Sequence, residues 1–301
     1  MAAAAGVLCL GLAVWDRVMP VGAIPRAPVR VQARDLVERF GGPAALAAAT
    51  IARLGGTARF LGPVGEDAEG GRIAAGLAAA GVDATALRRL PGTRSASATV
   101  AVDPAGAQLV LSFPGEGLQG PPDGVDWDLA FAGTGALLLD MGWPAGAAEA
   151  AAQARVRGLP SLLDAELNPE AEALLDLADH VLFSAPALAL LTEEEDAPTA
   201  LAKVVARRGY RGSVGVTLPE RGYCWLDGTG MHHAAAPAPQ GAGRRPGTGV
   251  VFRGAFALAL AEGADPAMAA RFGNAAAALH CVGPGLPSRA AVEHLLREAS
   301  P

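Results

Sequence analysis

Aromatic residues make up only 5% of this 301-residue chain, so bulky rings cannot carry its core. Hydrophobic residues still reach 51%, which leaves Ala, Leu and Val to build the interior and favours closely packed helices and sheet. Charge is sparse as well, at 18% with a formal net charge of -6, and there is no long basic run, so nucleic acid is not the expected partner. Cysteine is limited to Cys9, Cys224 and Cys281. An odd, scattered set offers no metal-ligand spacing and no disulfide framework, and fits buried thiols in a reducing cytoplasm. The apolar run at 2–15 is too short to span a bilayer. No Lys or Arg precedes it, and Asp16-Arg17 ends it without a small-residue cleavage site. It therefore reads as a buried first strand, with no membrane segment and no export signal.

What is present is an alternation of short apolar runs with Ala-rich helical segments. Strands are expected at Val7–Val14, Ala58–Pro63, Ala136–Asp140, Ser161–Asp164, His180–Ser184 and Val214–Leu218. Helices are expected at Pro43–Leu54, Gly70–Ala80, Gly146–Val156, Pro169–Leu177, Ala197–Arg208, Val250–Glu262 and Pro266–Cys281. Gly42-Pro43 and Asp265-Pro266 supply caps followed by first-turn prolines, and Gly55 and Gly263 close helices. Such alternation predicts an α/β fold with a doubly wound, mostly parallel sheet flanked by helices. Two stretches break it, 17–39 and 95–113, where β-favouring residues predict a small accessory sheet. Residues 234–246 are rich in Ala, Pro and Gly and read as a loop. No repeat or linker divides the chain, so 1–301 is expected to form one domain.

Ligands of open α/β sheets collect beyond the carboxyl ends of the strands. Those ends carry Asp16, Asp140, Asp164, Ser184 and Thr217, a set suited to a hydroxylated small molecule. The same residue types also begin turns and cap helices, so both readings stand at this point.

The segment Gly247-Thr248-Gly249-Val250-Val251-Phe252-Arg253-Gly254-Ala255-Phe256 resembles the phosphoryl-transfer signature of ribokinase-type (PfkB-type) carbohydrate kinases. In that signature Asp-Thr-x-Gly-Ala-Gly-Asp precedes a Phe-x-Gly-Ala-Phe helix. Gly41-Gly42-Pro43-Ala44-Ala45-Leu46-Ala47 is similar to the family's Gly-Gly-Asn-x-Ala-x-Asn-x-Ala, and the run from Gly62 to Gly70 to its Gly-x-Val-Gly-x-Asp-x-x-Gly. Thr217 to Gly222 and Gly285 to Arg289 match in the same order. The resemblance implies a ribokinase-like fold whose accessory sheet, about 17–39 and 95–113, forms a lid over the sugar and a possible homodimer contact. It implies a sugar or nucleoside substrate near Asp16, Gly41, Gly42 and Pro43, and a nucleotide, ATP with Mg²⁺, near Ser184, Thr217, Gly222 and Asn274. Gly247, Thr248 and Gly249 would form an anion hole at a helix start. No protein-held metal site is expected.

Departures from the pattern bear on activity. The resemblance places a catalytic aspartate, which takes the proton from the attacking hydroxyl, where this chain has Val250. Pro43 stands for a sugar-binding asparagine, Pro219 for a glycine, Arg244-Arg245 for Asp-Thr, and 240–243 for an apolar strand. Asp16, Glu220, His232 and His233 are the candidates for a substitute base, the histidines otherwise forming an exposed turn pair. Arg244 and Arg245 are read either as phosphate ligands or as solvated loop arginines. Three functions stay open: a kinase with impaired or lost phosphoryl transfer, a pseudokinase that binds sugar or nucleotide, and a structural partner of an active paralogue.

Overall fold

The computed structural model describes residues 6–25, 27, 29–166, 169–208, 212–237, 245–283 and 285–299, of which 169–172 and 208 are described by their backbone alone. The strands are β1 (Gly6–Leu10), β2 (Val14–Pro20), β3 (Val37–Gly41), β4 (Ala58–Leu61), β5 (Pro63–Gly65), β6 (Arg88–Leu90), β7 (Ala96–Val102), β8 (Gln108–Phe113), β9 (Thr134–Asp140), β10 (Ser161–Ala165), β11 (His180–Ser184), β12 (Ser213–Leu218), β13 (Gly222–Asp227) and β14 (Gly230–Ala234). The helices are α1 (Pro43–Arg53), α2 (Ala68–Ala79), α3 (Trp127–Phe131), α4 (Pro144–Val156), α5 (Ala185–Thr192), α6 (Ala197–Arg208), α7 (Thr248–Ala261), α8 (Pro266–Val282) and α9 (Arg289–Glu298).

Eight of the described strands form the main sheet in the order β14-β13-β12-β11-β10-β9-β1-β4. It is parallel from β4 through β12, and β13 and β14 add an antiparallel edge. Both faces of a parallel sheet are covered, so side chains alternating along a strand enter two different cores. In β1, Val7 and Cys9 join Leu138, Leu182 and Phe60 under α1, α7 and α8. Leu8 and Leu10 join Leu139, Leu163 and Val216 under α4 and α6 on the other face. Small residues let the first layer sit tightly: a Cβ on Gly254 of α7 would stand 2.8 Å from the Ala47 carbonyl of α1, so only glycine permits this approach.

A second sheet takes the order β3-β2-β7-β8, with β2 parallel to β7 and antiparallel to β3. Leu109, Val110 and Leu111 of its edge strand β8 are exposed.

Three expectations from the sequence are corrected here. The run Val7–Val14 is not one strand, because the chain turns at Gly11–Ala13 and delivers β1 and β2 to different sheets. Asp16 therefore belongs to the second sheet and not to a strand end of the main one. Residues Pro169–Asp176 form a 3₁₀ helix, not an α-helix. Leu174 and Leu175 of this segment are buried, and the tighter turn is common in short connecting pieces of this kind. Val29 and Val31 lie outside any strand and are exposed.

Candidate functional site

The head of α7 is a tied turn. Gly247 is the N-cap with φ 85°, a left-handed conformation that glycine adopts without strain. Thr248 Oγ1 donates to the Arg245 carbonyl at 2.6 Å, and His280 Nε2 lies 3.1 Å from the Pro246 carbonyl, which fixes the turn to α8. The first backbone N–H groups of a helix have no partner within it, so this turn is a place of positive potential.

This head opens into a cleft of about 620 Å³. Thr248 and Gly249 line it together with Ser184, Thr217, Gly222 and Asn274, from the ends of β11 and β12, the start of β13, and α8. Local duties hold these groups. Ser184 Oγ caps α5 by accepting from Ala187 N at 3.3 Å, and Thr217 Oγ1 donates to the Phe183 carbonyl at 3.4 Å. Asn274 Nδ2 donates to the Ala234 carbonyl at 2.7 Å, so its amide secures the chain leaving β14. Glu220 and Pro219 also line the cleft. The described residues hold no cluster of His, Cys, Asp or Glu that could bind a metal ion. Glu220 is the one carboxylate among the described lining residues, so an Mg²⁺ entering with a polyphosphate would be held mainly by phosphate oxygens and water.

Asp16, Gly41, Gly42 and Pro43 do not line this cleft. Asp16 on β2 reaches across to Gly41 on β3, where an added Cβ would stand 2.1 Å from Oδ2. The half-buried Asp16 carboxylate has no hydrogen-bond partner among the described residues; burial raises its pKa, opposed by Arg39. Gly42 caps α1, and Pro43 occupies its first turn, where a missing N–H costs nothing.

Two strand-end carboxylates turn inward. Asp140 is buried and accepts from Leu12 N at 3.3 Å, Ala44 N at 3.0 Å and Gly142 N at 2.8 Å. It thus caps α1 from another strand, and three of its roughly four acceptor sites are taken by backbone N–H groups. Burial raises its pKa to about 6 against those three donors. Asp164 is equally buried, with Arg253 Nε 2.7 Å from its Oδ1. The Nε–H does not point at the carboxylate, so the contact is an ion pair and not a hydrogen bond. Burial pushes Asp164 up, and Arg253 pulls it back. Of the two readings open from the sequence, Asp140 follows the capping one, and Asp164 is taken up by its ion pair.

Other expectations change too. Arg245 is not a free loop arginine: it is half-buried on the cleft, and Nη1 donates to the carbonyls of His280, at 3.2 Å, and Gly283, at the C-terminal end of α8, where a cation is favoured. Arg244 and 240–243 lie outside the described residues. His232 and His233 belong to β14, not to a turn. His232 stacks on Trp225 and bonds Asp227 and Thr229, and His233 bonds the Arg221 carbonyl. Val250, in the first turn of α7, packs against the core below that helix.

Sequence reasoning missed Arg253. Its signal was visible, since it is the one charge inside the apolar run from Val250 to Ala261.

Taken as chemistry, the cleft offers hydroxyls, an amide, the guanidinium groups of Arg245 and Arg253 and a helix head of positive potential, a set suited to an anionic ligand. Comparison with known proteins gives the family and the fold. Residues 4–288 match the family described as pfkB family carbohydrate kinase. The structure of "a putative ribokinase" from Agrobacterium tumefaciens is similar at 31% identity and TM-score 0.90, over 98% of both chains. The Arabidopsis thaliana ribokinase complexed with ribose and ATP is similar at 25% identity and TM-score 0.84, over 98% of this chain and 99% of that one. A Burkholderia thailandensis nucleoside kinase in complex with inosine shares the fold, at 19% identity and TM-score 0.76 over 98% of each chain. This chain belongs to the pfkB family of carbohydrate kinases.

Proposed function

We propose that this protein is a carbohydrate-kinase-like member of its family that binds ATP in the cleft and a sugar or nucleoside beside Asp16, with phosphoryl transfer to the sugar hydroxyl impaired or lost. The observation that carries this reading is the state of the α7 head: the Gly247–Gly249 turn is retained, with Thr248 and Gly249 on the cleft, while Val250 turns a hydrocarbon side chain to the core. Valine accepts no proton, and a general base contributes roughly 10²–10⁴-fold in rate. Positioning and charge neutralisation remain, and phosphoryl transfer depends strongly on both. His232 and His233 are held by other partners and do not favour a substitute base; Glu220 lies on the cleft and Asp16 off it.

Asp16 supports the sugar side. A half-buried carboxylate with no hydrogen-bond partner among the described residues is suited to accept from substrate hydroxyls, and Gly41 leaves room beside it. The second sheet acts as a lid in this reading, and its exposed Leu109, Val110 and Leu111 support a homodimer through that sheet.

A pseudokinase reading is favoured by one further feature, the buried Arg253 at the α7 head, which suits anion holding without proton removal. Phosphotransfer assays with ATP, Mg²⁺ and a panel of sugars and nucleosides separate the readings. Ligand-induced thermal shift with no transfer marks a pseudokinase, and no shift with any ligand would sink both in favour of a structural role.

A further inference from the structure

Arg253 sits where helix electrostatics alone would not place it. A cation in the first turns of a helix stands against the positive end of the dipole, and arginine inside an apolar helix face requires desolvation. The side chain is 3% exposed, and side chains in a helix lean toward its N-terminus, so this guanidinium climbs back from the second turn of α7 to its head.

Its three nitrogens have different surroundings. Nε lies 2.7 Å from Asp164 Oδ1. Nη2 donates to the Leu182 carbonyl at 3.4 Å. Nη1 has no hydrogen-bond partner among the described residues, and a Cβ on Gly249 would stand 2.7 Å from it. Arg253 and Gly249 both line the cleft. Glycine at 249 therefore leaves open the space between the guanidinium and the helix head.

We propose that Arg253 is an anion-binding residue of this cleft, with Nη1 taking a phosphate oxygen of a nucleoside polyphosphate at the head of α7. The proposal rests on the reading of the cleft as a nucleotide site and adds to it the group that selects phosphate. Asp164 holds the guanidinium in place from below. Asp164, with Asp140 and Glu166 in electrostatic range of it, offsets the guanidinium charge, and the helix head adds positive potential on the cleft side, where Gly249 and Arg253 line the space. With Val250 at the same head, no carboxylate of that turn opposes an incoming anion. The arrangement retains a phosphate more readily than it removes a proton.

The test is calorimetric titration of the full chain with adenosine, ADP, ATP and pyrophosphate. Arg253→Met combined with Asp164→Leu removes the cation without stranding a buried carboxylate. ADP and ATP should bind this double variant about tenfold or more weakly, the scale of a lost charge-assisted hydrogen bond, and adenosine should bind as before. Arg253→Lys keeps a counter-charge for Asp164, but its single ammonium cannot serve both partners, so ADP should again weaken and adenosine should not. This variant covers the case in which the double variant does not fold. Unchanged ADP affinity in either variant would overturn the proposal and leave Arg253 as a counter-ion only. Should the wild type bind none of the three nucleoside ligands, the nucleotide reading fails on its own account. Pyrophosphate then decides: binding by the wild type that the double variant loses supports the anion site, and no binding by the wild type overturns it.

Discussion

Arg253 Nε and Asp164 Oδ1 lie 2.7 Å apart between α7 and the end of β10, with side chains 3% and 2% exposed. A buried ion pair differs in its net value and in the cost of breaking it. Desolvation of both charges offsets most of their attraction, whereas removing one partner strands the other. Arg253→Met alone should lower stability by about 3–5 kcal/mol, and Arg253→Met with Asp164→Leu should restore most of it. Urea unfolding of the three proteins checks this. Equal losses in the single and double variants would show that packing of the arginine stem, and not charge pairing, dominates.

Asp140 should leave a signature in the pH dependence of stability. Burial holds its pKa at about 6 in the folded chain, above the ordinary aspartate value of 3.8. Between those values the native state binds more protons than the unfolded chain, so stability falls as pH rises through the window. The contribution is about 1–3 kcal/mol, fully present below pH ~4 and lost above ~6. Asp164 and Asp16 are also shifted up and add to the same trend, whereas Asp67, Asp83 and Asp227 are shifted down, so their effect lies below this range and has the opposite sign. In urea unfolding at pH 4.5 and 7.5, Asp140→Asn should show a smaller loss over this window than the wild type.

Gly42 and Gly55 both have positive φ, 97° and 82°, but in different surroundings. A Cβ at Gly42 would stand 2.2 Å from the Leu12 carbonyl, while one at Gly55 would meet nothing within 4 Å. Gly55→Ala should cost about 1–2 kcal/mol from backbone strain alone. Gly42→Ala adds a backbone collision at the α1 cap and should cost clearly more. Thermal unfolding of the two variants gives the ranking, and equal costs would contradict the geometry.

Leu109, Val110 and Leu111, with exposures of 43%, 50% and 65%, lie on edge strand β8. Val110→Asp with Leu111→Asp should yield a monomer if that edge joins two copies, with the fold unchanged because neither side chain is buried. Sedimentation of the wild type and the variant reads the result directly. A monomeric wild type would remove the dimer.

The sequence revealed the sheet more fully than the site. Alternating apolar runs identified β4, β9, β10, β11 and β12, since buried parallel strands keep their hydrophobicity through both faces. The boundary between β1 and β2 was hidden because Gly11-Leu12-Ala13 continues the apolar run without a polar turn residue. The β13–β14 hairpin was hidden for another reason: His232, His233 and Asp227 make the edge look like a polar loop. Within the cleft, Ser184, Thr217, Gly222, Asn274, Thr248 and Gly249 are brought together by the topology, from segments up to about ninety residues apart. Asp140 and Asp164 looked like ligand-facing groups because sequence shows which residue ends a strand but not what approaches its side chain. The N-terminus of α1 and the Arg253 guanidinium fill those two places, and both arrive from distant parts of the chain.

The central claim is that phosphoryl transfer lacks its proton acceptor at position 250. Its most direct measurement is the rate of ATP-dependent phosphorylation by the wild type and by Val250→Asp over one panel of sugars and nucleosides. The wild type should show slow or no transfer, and the variant should gain about two orders of magnitude or more. Wild-type turnover of roughly 1–100 s⁻¹, ordinary for a kinase, with no gain from Val250→Asp, would contradict it.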